Sequence, residues 1–473
     1  MKHIPEIGLA QADVLEQLAS HKHEDANYLD SKTWSLVYHL NEEHTEFLKQ
    51  SYGAYFSENA LNPMAFKSLK QFETDIINMT GNMLNGGEDI VGTVTSGGTE
   101  SCLLPVLAYR ERARSKHRLR YRPEMIVPES VHVAWTKAAK YFNVKIHYAP
   151  LREDLRVDVA AVKKLINRKT IMLVGSAPSY PHGVIDPIEE LGQLAQQHKL
   201  PFHVDSCLGG FLLPFMEKNG VNLPLFDFRV PGVTSMSADV HKYGFAAKGA
   251  STVLYRDMSY LKHQFFIDEN WPGGVFASPA LLGTRPGGAY AAAWSALHVL
   301  GENGYRQNAE KIMDITKRLQ SGIRNISGLK ILSNPDMSVF SYTSTDPGLN
   351  IFAVGDQLEE TGWHVDRLQK PDALHVMIVP GHEKVIDIYL SDLEQAVQVV
   401  RGNPGLASRG NAAMYGMIAH LPMRGMIKKE VMKMMEDMYS PQGGTPLDGA
   451  ENPLLIQWGA KLLNRLQRGR KSS

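Results

Sequence analysis

The chain has 473 residues, too many for one small core, so a large domain and at least one smaller one are expected. Lys plus Arg and Asp plus Glu balance at 50 each, and a zero net charge speaks against a nucleic-acid binder, which carries a clustered basic excess. Two cysteines, Cys102 and Cys207, make no disulfide framework and point to a reducing compartment.

Residues 1–60 read as a peripheral helical segment. Apolar residues recur at helical spacing from Ala10 to Leu18, and Trp34–Leu40 and His44–Tyr52 fit two more short helices. From residue 61 to 303 strand-like and helix-like stretches alternate. Met125–Val127, Lys145–Tyr148, Thr170–Gly175, Pro201–Val204, Gly232–Met236 and Ser251–Tyr255 read as buried strands, and Val157–Asn167 and Pro187–Gln197 as helices between them. Such alternation predicts an α/β domain with a mainly parallel sheet covered on both faces, whose ligands sit at the carboxyl ends of the strands.

A helix over about Ala289–Gly301 leads into a long one over about Gly304–Ile326. Residues 304–410 then read as a small α+β domain. Its strands are Leu329–Leu332, Met337–Tyr342, Trp363–Val365 and Leu374–Ile378, and its helices Asn350–Thr361 and Lys384–Val400. Gly402–Asn411 is a polar linker. The tail, residues 411–473, holds a Met-rich helix over Gly425–Met438, read as core or subunit contact. A turn-rich stretch, Ser440–Pro453, follows, and the basic end with Arg465, Arg468, Arg470 and Lys471 reads as a solvated terminus. No apolar run is long enough to span a membrane, and residues 1–30 lack the basic, apolar and cleavage regions of an export signal, so a cytoplasmic protein is expected.

The chemistry is concentrated in a few stretches. Ser235–Lys242 ends in a His-Lys pair, and Asp205 closes the apolar run that begins at Leu200. A lysine able to form a Schiff base, with a carboxylate from an earlier strand end, is the minimal equipment for pyridoxal phosphate. The carboxylate keeps the pyridine nitrogen protonated, so the ring can accept electrons. A lone lysine in a loop means little; Asp205, His132 and the turn at Ser96 give Lys242 its weight. Ser96-Gly97-Gly98-Thr99-Glu100-Ser101 follows a strand-like stretch and opens a helix, so glycine backbone and helix amides face an incoming anion. With Ser237 and His241 it makes a cofactor-phosphate site. His132 is spaced to stack on the pyridine face opposite the lysine. Metal binding is not expected, because no Cys/His ligand cluster appears, and G-x-S-x-G, the mark of a serine hydrolase, is missing.

These motifs bear a resemblance. Residues 94–101, 178–187, 203–211, 237–244 and 284–288 together closely resemble the sphingosine-1-phosphate lyases, from about Trp34 to Tyr439. The His-Lys pair and Gly-Gly-Thr turn are shared with group II decarboxylases. Residues 181–187, 205–211, 226–230 and 415–417 are more specific to the lyases. The resemblance implies fold type I of the pyridoxal-phosphate enzymes: a large, mainly parallel seven-stranded sheet domain plus a small C-terminal α+β domain. It implies a homodimer, with Thr284 completing the partner's cofactor site.

The residue roles implied by the resemblance are these. Lys242 is the Schiff-base lysine, Asp205 the ring-nitrogen partner, and His132 the stacking residue. Gly98, Thr99, Ser237 and His241 bind cofactor phosphate. Tyr38, Asn62 and Lys248 hold substrate phosphate, and Tyr180 and Tyr415 line the site near the reacting bond. Where many relatives have Asn-Pro-Leu-His, this chain has Asn59-Ala-Leu-Asn62, which offers a hydrogen bond but no charge. The membrane anchor of animal relatives is missing, so a soluble, bacterial-type member is expected.

The implied reaction is retro-aldol cleavage between C2 and C3 of a phosphorylated long-chain base, giving a fatty aldehyde and phosphoethanolamine. Lys242, Tyr180 or an ordered water is the candidate base. Two other readings stand beside it: an amino-acid decarboxylase on the same scaffold, and a non-catalytic scaffold or regulatory protein that kept the fold.

Overall fold

A computed structural model describes residues 3–440 apart from 23, 24, 27, 117–121 and 421–423. The expected basic end and almost all of the Ser440–Pro453 stretch lie outside the described residues.

Seven strands form the large sheet: β1 (Val91–Thr95), β2 (Glu124–Pro128), β3 (Lys145–Ala149), β4 (Thr170–Ser176), β5 (Phe202–Asp205), β6 (Ser235–Ala238) and β7 (Ser251–Tyr255). Their order is β1-β7-β6-β5-β4-β2-β3. Strands β6, β5, β4, β2 and β3 pair in parallel, and β7 runs antiparallel to both its neighbours. Every residue of β2, β4, β5, β6 and β7 is buried, which explains why these segments read as unbroken apolar or small-residue runs rather than alternating ones.

Two strands not foreseen, β8 (Phe266–Asp268) and β9 (Phe276–Ser278), make an isolated hairpin. The small sheet holds β10 (Leu329–Ile331), β11 (Val339–Ser344), β12 (Asp366–Leu368) and β13 (Ala373–Met377), all antiparallel, in the order β10-β11-β13-β12. Helix Ile351–Glu360 packs on it, and helix Ile386–Gly402 packs on that helix. The two sheets are joined by the helix Gly287–Asn325, which breaks at Gly301 with φ 55° and ψ −179°. Only glycine adopts that backbone without strain, which is why the sequence reads as two helices meeting there.

The expected helix over Trp34–Leu40 does not form. Trp34 is fully buried, its ring lies 5.6 Å from that of Trp363 in a stacked pair, and its carbonyl accepts the amide of Met377 at 2.9 Å. Leu36 has φ 68°. The segment is thus pinned along the small sheet as an irregular strap, and its apolar spacing reflects that packing. Strand β12 starts three residues later than expected. Trp363 and Val365 are buried through the turn before it. The polar stretch Gly402–Asn411 contains a 3₁₀ turn, Pro404–Ser408, and runs into a helix, Gly410–His420. In the Met-rich helix Arg424–Met438, Met432 and Met435 are exposed, so those two are not core within one protomer.

Candidate active site

Five strand ends deliver the site. Strand β1 leads into the Ser96–Thr99 turn, β2 to His132, β4 to Tyr180, β5 ends at Asp205, and β6 leads to Lys242. The register sets Ser176, Asp205 and Ser237 level across β4, β5 and β6. A cavity of about 250 Å³ at these ends is lined by Gly98, Thr99, His132, Tyr180, Asp205, His241 and Lys242, with Cys102, Cys207 and Asp239 beside them.

Asp205 is held from several sides. Its Oδ2 accepts Trp135 Nε1 at 2.9 Å, and its Oδ1 accepts the Cys207 amide at 3.2 Å and Ser237 Oγ at 3.3 Å. Burial alone would raise its carboxyl. The Trp135 hydrogen bond and the nearby His132 and His203 outweigh burial and hold it below the usual carboxylate range. It therefore stays ionised. His132 caps the helix Val133–Tyr141, its Nδ1 accepting the Ala134 amide at 3.2 Å, so in the neutral ring the proton sits on Nε2. Burial pushes this imidazole below its ordinary range. His241 donates Nδ1–H to the Ala250 carbonyl at 2.7 Å.

Lys242 stands 2.9 Å from Oδ2 of the fully buried Asp239. Burial would lower its amine, but Asp239 more than offsets this and raises it well above the ordinary lysine range. Gly98 explains itself here: a Cβ at that position would come within 2.5 Å of Asp239 Oδ2, so any other residue would push the turn away from the carboxylate.

A second chamber of about 260 Å³ shares His241 with the first and is lined by Tyr38, His39, His44 and Lys248. Lys248 Nζ donates to the Leu36 carbonyl at 2.8 Å and lies 5.1 Å from the centre of the Tyr38 ring. Burial, with the charge of Lys242 adding to it, pushes Lys248 down to about 8. Tyr38 donates to Met377 Sδ at 3.3 Å. Tyr180 donates to Asp366 Oδ2 at 3.3 Å and stacks on His375 with ring centres 4.4 Å apart.

The other expected residues stand elsewhere. Ser237 is fully buried behind Asp205 and does not line the cavity. Tyr415 packs on Phe352 and beneath the Arg367 guanidinium, away from Lys242. Asn62 and Thr284 line neither chamber. They lie on one exposed unit, because Asn59 pairs with Pro286, its Nδ2 donates to Thr284 Oγ1 at 3.2 Å, and the Ala60 amide donates to the Arg285 carbonyl. Trp135, Asp239 and Asp366 were not foreseen. Asp239 lay in plain view three residues before Lys242, whereas nothing in the sequence ties Trp135 or Asp366 to the site.

The first cavity fits pyridoxal phosphate on its own chemistry. It offers a primary amine for the aldehyde, an ionised buried carboxylate for the ring nitrogen, an imidazole, and a glycine turn at a helix start for the phosphate. Beyond its 2.9 Å ion pair with Lys242, Asp239 Oδ2 has no hydrogen bond, so this cavity wall holds a buried oxygen that can accept another.

Residues 58–344 match the family described as the pyridoxal-dependent decarboxylase conserved domain. The chain is 44% identical to a sphingosine-1-phosphate lyase of Arabidopsis thaliana over 92% of its own length and 81% of the relative's. It is 42% identical to sphingosine-1-phosphate lyase 1 of Rattus norvegicus, over 96% and 80%. Among solved structures, the sphingosine-1-phosphate lyase of Burkholderia pseudomallei K96243 superposes with a TM-score of 0.81 at 37% identity, covering 89% of this chain and 98% of that one. Glutamate decarboxylase of Lactobacillus brevis, at 22% identity and TM-score 0.74 over 84% and 94%, shares the fold.

Proposed function

The chain belongs to the pyridoxal-dependent decarboxylase family and, within it, to the sphingosine-1-phosphate lyases, and from this premise we propose that it cleaves phosphorylated long-chain bases between C2 and C3 to a fatty aldehyde and phosphoethanolamine. Its cofactor is pyridoxal 5′-phosphate. The observation that carries the substrate class is Lys248: a cation set against the Tyr38 ring, in a chamber that adjoins the cofactor cavity through His241. An amino-acid decarboxylase has no phosphate to place there.

When bound, the cofactor supplies an electron sink for the bond broken at the amine-bearing carbon. Lys242 is its point of attachment, and Asp205 keeps its ring nitrogen protonated. His132 would face the ring, and Gly98, Thr99 and His241 would hold the phosphate. Ser237 acts through Asp205, to which it donates. Lys248 and Tyr38 would grip the substrate phosphate and so orient the substrate for the bond that breaks. Tyr180 takes the C3 hydroxyl proton as its own moves towards Asp366, its hydrogen-bond partner.

The working unit in this proposal is a homodimer. Asn62 and Thr284 then reach the partner's site from their exposed unit. Near that unit Phe56, Met64, Ile267, Trp271 and Val275 are all more than half exposed, an apolar surface of the kind that a second copy covers. Among the described residues no helix is long and apolar enough to cross a membrane, and both cysteines are free and buried, which suits the cytoplasm. The test of the whole reading is product analysis with sphingosine 1-phosphate and with the unphosphorylated base.

A further inference from the structure

Asp239 has so far been only a neighbour of Lys242. Among the described residues it is the one carboxylate within 4.0 Å of the lysine nitrogen. Asp205, the other carboxylate of the cavity, is engaged by Trp135, the Cys207 amide and Ser237. Asp239 is buried completely, Ser251 donates to its Oδ1, and its Oδ2, 2.9 Å from Lys242, has no other hydrogen bond. A buried carboxylate left half-satisfied is costly unless a cation stays beside it. Gly98 keeps the phosphate turn tight against the same oxygen.

We propose that Asp239 is the proton partner of Lys242: it holds the lysine as an ammonium whenever the lysine is free of cofactor, and attachment begins with transfer of one proton from Nζ to Oδ2. The inference rests on Lys242 being the attachment point. The amine so freed forms a bond to the aldehyde carbon. Two protons leave the nitrogen with the aldehyde oxygen as water, and the proton held by Asp239 returns to nitrogen.

The surroundings leave this task to Asp239. Tyr38, Tyr180 and Tyr243 face Lys242, and burial holds all three phenols above their usual range, so they are uncharged at neutral pH. The sulfurs of Cys102 and Cys207 lie within 4.8 Å of each other, and this proximity and burial leave both thiols above the usual range. Burial keeps His132 and His241 below theirs, and Lys248 is a further cation.

The first test needs no variant. In the full-length wild-type protein freed of cofactor, Lys242 is labelled by a pulse of acetic anhydride at a series of pH values, and peptides are read by mass. Its side chain keeps 24% of its surface open, so the reagent can reach it. The midpoint of Lys242 labelling should lie above that of exposed lysines in the same digest; a midpoint at or below theirs overturns the proposal. The second test is Asp239→Asn, with Asp239→Glu as the charge-keeping control. In Asp239→Asn the midpoint for growth of cofactor absorbance should fall by a unit or more. Asp239→Glu should stay near wild type. A midpoint unmoved in Asp239→Asn overturns the proposal, since a merely structural role would change yield but not the midpoint. Should Lys242→Ala still gain the absorbance, it is the attachment assignment that fails, and the labelling midpoint still judges Asp239.

Discussion

Lys248→Met removes a charge and keeps most of the stem. Wild-type Lys248 is a compact ammonium fixed by the Leu36 carbonyl at 2.8 Å and by the Tyr38 ring, so it meets substrate phosphate already oriented. A hydrogen bond involving a charged group contributes about 1.5–3 kcal/mol. If that interaction is present in the transition state, its loss lowers kcat/KM for the phosphorylated base by roughly ten- to a hundredfold. The unphosphorylated base, which never meets the ammonium, should be turned over poorly and equally by both proteins. Burial sets a pH signature as well. Lys248, pushed down to about 8, is cationic below that pH and neutral above it. The phosphate-dependent advantage is therefore full below pH 8 in wild type and declines as pH rises through it, and the Met variant shows no such decline. The assay is steady-state kcat/KM for both bases on either side of pH 8. An unchanged preference for the phosphorylated base in Lys248→Met would refute the clamp.

Lys242→Ala should abolish turnover and the visible absorbance of bound cofactor while leaving the circular dichroism of the fold intact; retained absorbance would contradict it. Trp135→Phe deletes the 2.9 Å hydrogen bond to Asp205, so the carboxyl should rise and the cofactor dissociation constant increase by about tenfold or more, as read by equilibrium dialysis. Wild-type retention would mean that Trp135 does not tune Asp205. Gly98→Ala places a Cβ 2.5 Å from Asp239 Oδ2, and cofactor affinity should fall with little change in the melting temperature of the cofactor-free protein. Mixing Lys242→Ala with Thr284→Ala should restore activity, because one site of each mixed dimer then has both residues; no recovery would contradict a shared site.

How much of this was legible depended on how local each signal is. The parallel sheet was read well, because strands buried on both faces leave unbroken runs such as Thr170–Gly175. Lys242 and Asp205 were legible for the related reason that strand ends are where such sheets hold ligands. Trp34–Leu40 misled, since stacking of Trp34 on Trp363, more than 300 residues away, cannot be seen in local spacing. Ser237 illustrates a finer limit. It sits level with Asp205 but is fully buried, hydrogen-bonded to Asp205 and His203, and does not line the cavity. Asn62 and Thr284 were named separately, and only the pairing of Asn59 with Pro286 reveals that they travel together. Asp239 was overlooked because an aspartate before a His-Lys pair has no meaning until the chain turns back and sets it beside the amine.

The most direct measurement is mass-spectrometric product analysis after incubation of the cofactor-loaded protein with sphingosine 1-phosphate. A fatty aldehyde and phosphoethanolamine should appear in equal amounts, with little product from unphosphorylated sphingosine. Equal turnover of the two bases, or release of carbon dioxide from an amino acid with no aldehyde from either base, would contradict the assignment.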